Sequence, residues 1–191
     1  SPSKFAVFRC GSVRSRYGQQ ADQLSLDIWG EGQNLALDAG SYNYNKDLRQ
    51  HNWFRGTSAH NTVIVNDQDQ MVPHRKFKYL NWTKARAEVC SANGSDYSIL
   101  GVHNGYTRLS GRWGHARMIS MAADSWIIVD RLWALDPNEA EARLRLHWQL
   151  AKGELGIEEG VAEIVIDRKS HYFSFYCDQK EFDLSSATGQ E

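Results

Sequence analysis

The 191 residues predict an all-β chain: an antiparallel β-sandwich of two packed sheets, with few short helices. Three observations carry that reading. The dominant apolar period is two rather than 3.6, so side chains alternate between faces as they do along strands. Turn-forming pairs separate these runs at ~10-residue spacing without a helical pattern between them, as in a sandwich or barrel. Seven Trp, eight Tyr and seven Phe against three Pro supply residues that suit a pleated, half-buried surface. No linker or internal repeat breaks the series, so residues 1–191 read as one domain.

The elements follow in order. In Gln23–Trp29, Leu24, Leu26 and Ile28 fall on one face, and Gly30-Glu31-Gly32-Gln33 reads as a hairpin loop into Asn34–Asp38. Asp47 to Phe54 predicts two helical turns with Asp47 as the cap. Asn61–Val65 is a strand ending in the turn pair Asn66-Asp67, and Tyr97–His103 is another, closed by Asn104-Gly105. Arg117–Ala123 and Trp126–Leu132 flank a hairpin signal at Asp124-Ser125, and Asp136–Glu141 predicts a single helical turn. The cleanest alternation is Arg143–Leu150, apolar on even numbers and polar on odd ones. That places His147 on the solvent side. Val161–Asp167 and Tyr172–Cys177 close the series.

Composition removes several function classes. Lys plus Arg is 22 and Asp plus Glu is 23, a net charge of -1, so no concentrated positive field exists for nucleic acid. No run approaches the ~20 apolar residues of a membrane helix, and no membrane partner is expected. The start Ser1-Pro2-Ser3-Lys4 lacks both an initiator Met and the apolar core of a signal peptide, and reads as a cut edge of something longer. Cys10, Cys90 and Cys177 contain no CxxC and read as buried small hydrophobes. No P-loop, Gly-x-Ser-x-Gly, Gly-x-Gly-x-x-Gly, His-Glu-x-x-His or EF-hand loop occurs.

The densest cluster of chemistry-bearing residues lies between Tyr17 and Gln70. Asp38-Ala39-Gly40 follows an apolar strand, and His60-Asn61 opens the next β-branched one. An Asp at the end of one strand and a His at the start of another converge at one end of a sandwich. Such a pair binds a metal, or the Asp orients the imidazole for proton transfer. The alternative is structural: Asp38 caps a turn and His60 bonds a loop carbonyl. His103 and His115 lie at strand edges, either lining a groove or serving structure, while His51, His74 and His171 have no spaced partner.

Several separated motifs then become recognisable together. Ala21–Trp29, Leu35–Asn45, Phe54–Val63 with Asp67–Met71, Gly105–Leu109, His115–Arg117 and Ile128–Leu132 stand in one order. This set resembles the β-domain of heparinase II/III-like polysaccharide lyases from about Val7 to Leu150. The resemblance implies an N-terminal helical toroid preceding this β-sandwich in the full-length chain, with the substrate cleft between them. It implies β-elimination on uronate-containing, acidic polysaccharides: a base takes the proton α to the carboxyl and an acid protonates the leaving oxygen. The family's Tyr, His and Asn catalysts lie mostly in the toroid, so this chain alone is expected to be inactive.

On the same resemblance, Arg55, His60, Asn61 and Tyr106 face the sugar, His60 being the catalytic candidate. Arg55 is suited to hold a carboxylate bidentately, or else pairs with a local Asp. The family's His-x-His-Ala-Asp segment reads Gly18-Gln19-Gln20-Ala21-Asp22 here. Asp38 and His60 match two metal ligands, while Gln20 stands at the third. An amide oxygen replaces imidazole poorly at zinc, so zinc is expected to be weak or absent. The replacements at Gly18 and Gln20 favour the alternative, a noncatalytic carbohydrate-binding or structural β-domain. Family habit implies a periplasmic or secreted location.

Overall fold

The computed structural model describes residues 4–12, 20–41, 47–75, 78–93, 96–122, 125–139, 141–158, 161–166, 168–178 and 185–186. It comprises two compact units, Ser1–Gln149 and Leu150–Glu191.

In the first unit, β1 (Lys4–Phe8), β2 (Leu26–Gly30) and β3 (Gln33–Ala36) form an antiparallel sheet in that order. The predicted hairpin joins β2 to β3, with Glu31 and Gly32 at φ 50° and 81°. Two left-handed residues give the turn whose twist matches its strands. Helix α1 (Leu48–Arg55) begins where predicted: Asp47 Oδ1 accepts from the Arg49 N–H at 2.7 Å. A 3-10 turn over Thr57–Ala59 leads into β4 (Val63–Val65), buried throughout, and the left-handed pair Asn66-Asp67 turns the chain back. The short strands β5 (Val72–His74) and β6 (Lys78–Leu80) pair with each other.

Next come β7 (Ala85–Asn93), β8 (Asp96–His103), β9 (Trp113–Ala122) and β10 (Ser125–Ala134), a four-stranded antiparallel meander. Strands β9 and β10 exceed the predicted runs, because Trp113-Gly114 and Trp133-Ala134 also pair. A 3-10 turn at Pro137–Glu139 precedes β11 (Leu144–Leu146), which pairs with β4. In the second unit, β12 (Glu154–Glu158), β13 (Val161–Ile166) and β14 (Lys169–Ser174) form a separate antiparallel sheet, with Ala162 and Ile164 buried on one face of β13.

The antiparallel β-sandwich class holds, and the first unit shows how its layers meet. A Cβ placed on Gly101 of β8 would lie 2.5 Å from the Phe8 ring and 2.6 Å from Leu24. Only a glycine lets β1 and the segment before β2 settle this closely on the meander. Leu24, Leu26, Ile28 and Ile119 fill that core.

Two expectations need correction. The alternating run at Arg143 forms only three residues of strand, and Leu144 and Leu146 are 45% and 41% exposed. Alternation sorts side chains onto two faces but does not say which face is covered. The cysteines are free yet not fully buried: Cys90 is exposed, Cys10 and Cys177 half-buried. Cys90 sits at a register shift between Val89 and Ser91, a bulge that disrupts the ladder. Among the described residues no helix is long and apolar enough to cross a membrane.

Candidate functional site

Asn61 assembles the site. Its Nδ2 donates to the carbonyls of Leu26 and Leu37, each at 2.9 Å, and its Oδ1 accepts from the Gln149 N–H at 2.6 Å. Leu37 in turn donates its N–H to the Gln149 carbonyl at 2.8 Å. One amide therefore ties β2, the segment leaving β3 and the chain after β11, and this brings Asp38 against His60.

Asp38 uses both oxygens. Oδ1 accepts from the Gly40 N–H at 2.7 Å, closing a local turn in which Gly40 takes φ 65°. Oδ2 lies 2.7 Å from Nδ1 of His60, whose side chain is fully buried. A carboxylate only accepts, so the hydrogen-bond pattern assigns the imidazole proton to Nδ1 and leaves a lone pair on Nε2. Nε2 is buried and has no hydrogen-bond partner among the described residues. Burial works against the Asp38 charge, but the hydrogen bonds from His60 and from the Gly40 N–H outweigh it and hold the carboxyl below its ordinary range.

Gln20 turns elsewhere. Its Nε2 donates to the Gly40 carbonyl at 2.6 Å, and to Ser41 Oγ and the Phe54 carbonyl at 3.3 Å each. It fastens the Gly40-Ser41 turn to the end of α1 instead of bonding Asp38 or His60. Gly18 lies outside the described residues. The donors as placed do not make a zinc site. Asp38 and His60 meet as acceptor and donor, Gln20 offers its NH₂ to backbone, and no cluster of three His, Cys, Asp or Glu exists among the described residues.

The other residues assigned to the sugar serve the framework. Arg55 is 4% exposed; its guanidinium donates to the carbonyls of Arg75 (3.2 Å) and Lys78 (2.6 Å) and lies over the Tyr79 ring. Tyr79 donates its hydroxyl to the Arg55 carbonyl at 2.5 Å, and burial pushes its pKa up to about 12. Asn61 is spent on backbone as described. Tyr106 is fully buried, its hydroxyl donating to the Val63 carbonyl at 2.7 Å. Asp69, from the same recognised stretch, accepts from the Thr57 N–H at 2.7 Å, and Arg108 donates to its carbonyl.

His147 does not face solvent. It is half-buried, and its Nε2 is also without a hydrogen-bond partner among the described residues. Burial first, then the charge of Arg145, holds it below the ordinary imidazole range. Strand β11 ends at Leu146, so the alternation that placed His147 outward stops before reaching it. His103 and His115, read as edge residues, lie opposite each other inside the meander, their rings joined at 2.9 Å. The signal for this was partial, since His115 and Arg117 alternate onto one face of β9, but only the strand register brings His103 and Asp130 to them.

Chemically, a buried imidazole oriented by a carboxylate and open at Nε2 can accept a proton or a hydrogen bond, or bind an electrophile. The comparisons give that geometry a context. The family model described as "Heparinase II/III-like, C-terminal" matches residues 3–187. A heparin-sulfate lyase of Bacteroides stercoris is 28% identical over 140 residues, covering 71% of this chain and 18% of that protein. A solved heparinase III superposes with a TM-score of 0.69 at 22% identity, over 86% of this chain and 23% of that one. The heparan sulfate lyase HepC of Pedobacter heparinus gives 0.64 at 21% identity, over 86% and 24%. The chain thus spans about a fifth to a quarter of the length of these relatives. By sequence over nearly its whole length, and by fold, it belongs to the heparinase II/III-like family as that family's C-terminal domain.

Proposed function

We infer that this chain is the β-domain of a polysaccharide lyase that cleaves uronate-containing glycosaminoglycans by β-elimination, and that it forms one wall of the substrate cleft. Family membership and a curated relative named for heparin sulfate support the reaction class and the acidic substrate. The observation that carries the reading here is His60 Nε2. A buried polar atom without a partner costs about 1–3 kcal/mol, and His60 Nε2 has no partner among the described residues. We assign its partner to the substrate or to the rest of the full-length protein. Asp38 fixes the tautomer, and the Gly40-Ser41 turn, fastened by Gln20, shapes the rim. Base, acid and charge stabilisation must be held together for elimination, and the toroid is where the remainder belongs.

The test is an assay of the full-length chain on heparan sulfate, following unsaturated uronate product. His60→Gln, which keeps volume but removes the imidazole, should lower kcat/KM at least tenfold. Full activity in that variant would remove His60 from the site. A full-length chain that binds the polysaccharide without cleaving it would support a second reading, a noncatalytic carbohydrate-binding domain. The replacement of imidazole by Gln20, with its NH₂ committed to backbone, favours that reading.

A further inference from the structure

The meander carries a buried chain of polar groups that the lyase reading leaves unused. Register sets His103 on β8 opposite His115 on β9, and Arg117 on β9 opposite Asp130 on β10. The Gly105 N–H donates to His103 Nδ1 at 3.0 Å, which places the His103 proton on Nε2. That nitrogen then donates to His115 Nδ1 at 2.9 Å, so His115 carries its own proton on Nε2. His115 Nε2 donates in turn to Asp130 Oδ1 at 2.7 Å. One backbone amide thereby dictates two tautomers in sequence.

Asp130 is also gripped by Arg117, through Nε to Oδ1 and Nη2 to Oδ2, each at 2.8 Å. The other amino group of Arg117 donates to the Leu24 carbonyl at 2.7 Å and to the Asn61 carbonyl at 2.5 Å. Arg117 and His115 are fully buried and His103 is 5% exposed. Burial, then the neighbouring His115 and Arg117, hold His103 well below the ordinary imidazole range. Burial likewise lowers His115, although Asp130 opposes it. Burial raises Asp130, but Arg117 and His115 override it and keep the carboxylate ionised. The chain is one anion, one cation and two neutral rings.

Apolar residues of similar volume would often stabilise a core as well as or better than a buried ion pair. What the polar chain supplies instead is geometry, and its free end reaches the residue directly after His60. We propose that His103, His115, Asp130 and Arg117 are positioning residues for His60: the first three fix the guanidinium, and Arg117 fixes the backbone at Asn61 so that His60 meets Asp38. Its functional meaning rests on the reading of Asp38 and His60 given above, but its test does not.

The experiment is side-chain ¹⁵N NMR of the imidazoles in the 191-residue protein, with solvent exchange of the His60 Nδ1 proton as the readout. Arg117→Lys keeps a cation beside Asp130 but cannot span both it and the two carbonyls. His115→Leu cuts two links, whereas His115→Gln restores an acceptor for His103 and a donor for Asp130. Exchange at His60 should rise at least tenfold in Arg117→Lys and His115→Leu and return close to wild type in His115→Gln. Wild-type exchange in folded Arg117→Lys or His115→Leu, or a His115→Gln as perturbed as His115→Leu, overturns the proposal. If Arg117→Lys does not fold, the His115 pair decides. Full activity of full-length His60→Gln would instead sink the functional reading while leaving the positioning result intact.

Discussion

Asp38 and His60 stand 22 positions apart in the chain and meet at 2.7 Å, carboxylate oxygen to ring nitrogen. Neither is brought there by its own strand alone. Asp38 leaves β3 in a turn closed by Gly40, His60 follows the 3-10 turn, and the Asn61 amide holds both segments. The contact orients the imidazole and leaves Nε2 without a partner among the described residues.

The purified 191-residue chain should yield no unsaturated uronate from heparan sulfate at a useful rate. A single oriented imidazole supplies neither the second proton-transfer group nor the charge stabilisation that elimination requires. Product formed by this chain, with contaminating lyase excluded by mock purification, would refute the expectation.

Zinc should be substoichiometric in the purified protein and in Gln20→His alike, since Asp38 and His60 bond each other and position 20 faces the Gly40-Ser41 turn. Structural zinc sites draw roughly 10–16 kcal/mol from about four ligands, and one added imidazole does not supply a site whose other donors bond each other. Elemental analysis of both proteins decides it. A full, tightly held equivalent in the wild type would show that the ligand set is misjudged.

Asn61→Ala should destabilise the first unit by on the order of 3 kcal/mol, since it removes three bonds to backbone groups, one buried and two part-buried. Tyr106→Phe should cost only about 1 kcal/mol, the loss of one hydrogen bond. Urea unfolding measures both. An Asn61→Ala protein as stable as wild type would return Asn61 to the sugar-facing role.

Stability should fall with acid in two stages. His103 and His115 are held below the ordinary value of 6.5, so the unfolded chain binds their protons first and stability declines as pH drops below that value. Asp130 and Asp38, held below 3.8, contribute stability above that value which is lost as pH falls through their folded pKa values. Asp22, Asp27 and Asp69 are raised by burial and act oppositely near the carboxylate range. The upper window is therefore the cleaner one. Unfolding free energies at pH 7 and at about pH 5.5 bracket the upper stage, and His103→Gln should reduce the difference between them.

Gly101→Ala should cost about 1–3 kcal/mol by overpacking, because its Cβ meets the Phe8 ring and Leu24. Gly11→Ala, with nothing within 4 Å, is the control. Equal denaturation midpoints for the two would show that the layers yield at Gly101.

Much of the fold was determined by the sequence alone, wherever the cause is local. Period-two runs marked β2, β8 and β13, a β-branched run marked β4, a left-handed turn needed Glu31-Gly32, and Asp47 could cap α1 within its own first turn. The motif order around Asp38 and His60 was likewise sufficient to point to the family. The tertiary structure decided the rest, because those facts depend on which strand lies beside which. Alternation placed Leu144 and Leu146 on one face without saying whether anything covers it. It left His103 and His115 at strand edges and Arg117 and Asp130 on separate strands, since contact requires register between β8, β9 and β10. The same limit applies to Arg55, Asn61 and Tyr106. Their polar ends advertise chemistry in the sequence, but burial gives those ends to backbone carbonyls and amides, because a buried polar group left without a partner is costlier than a contact forgone.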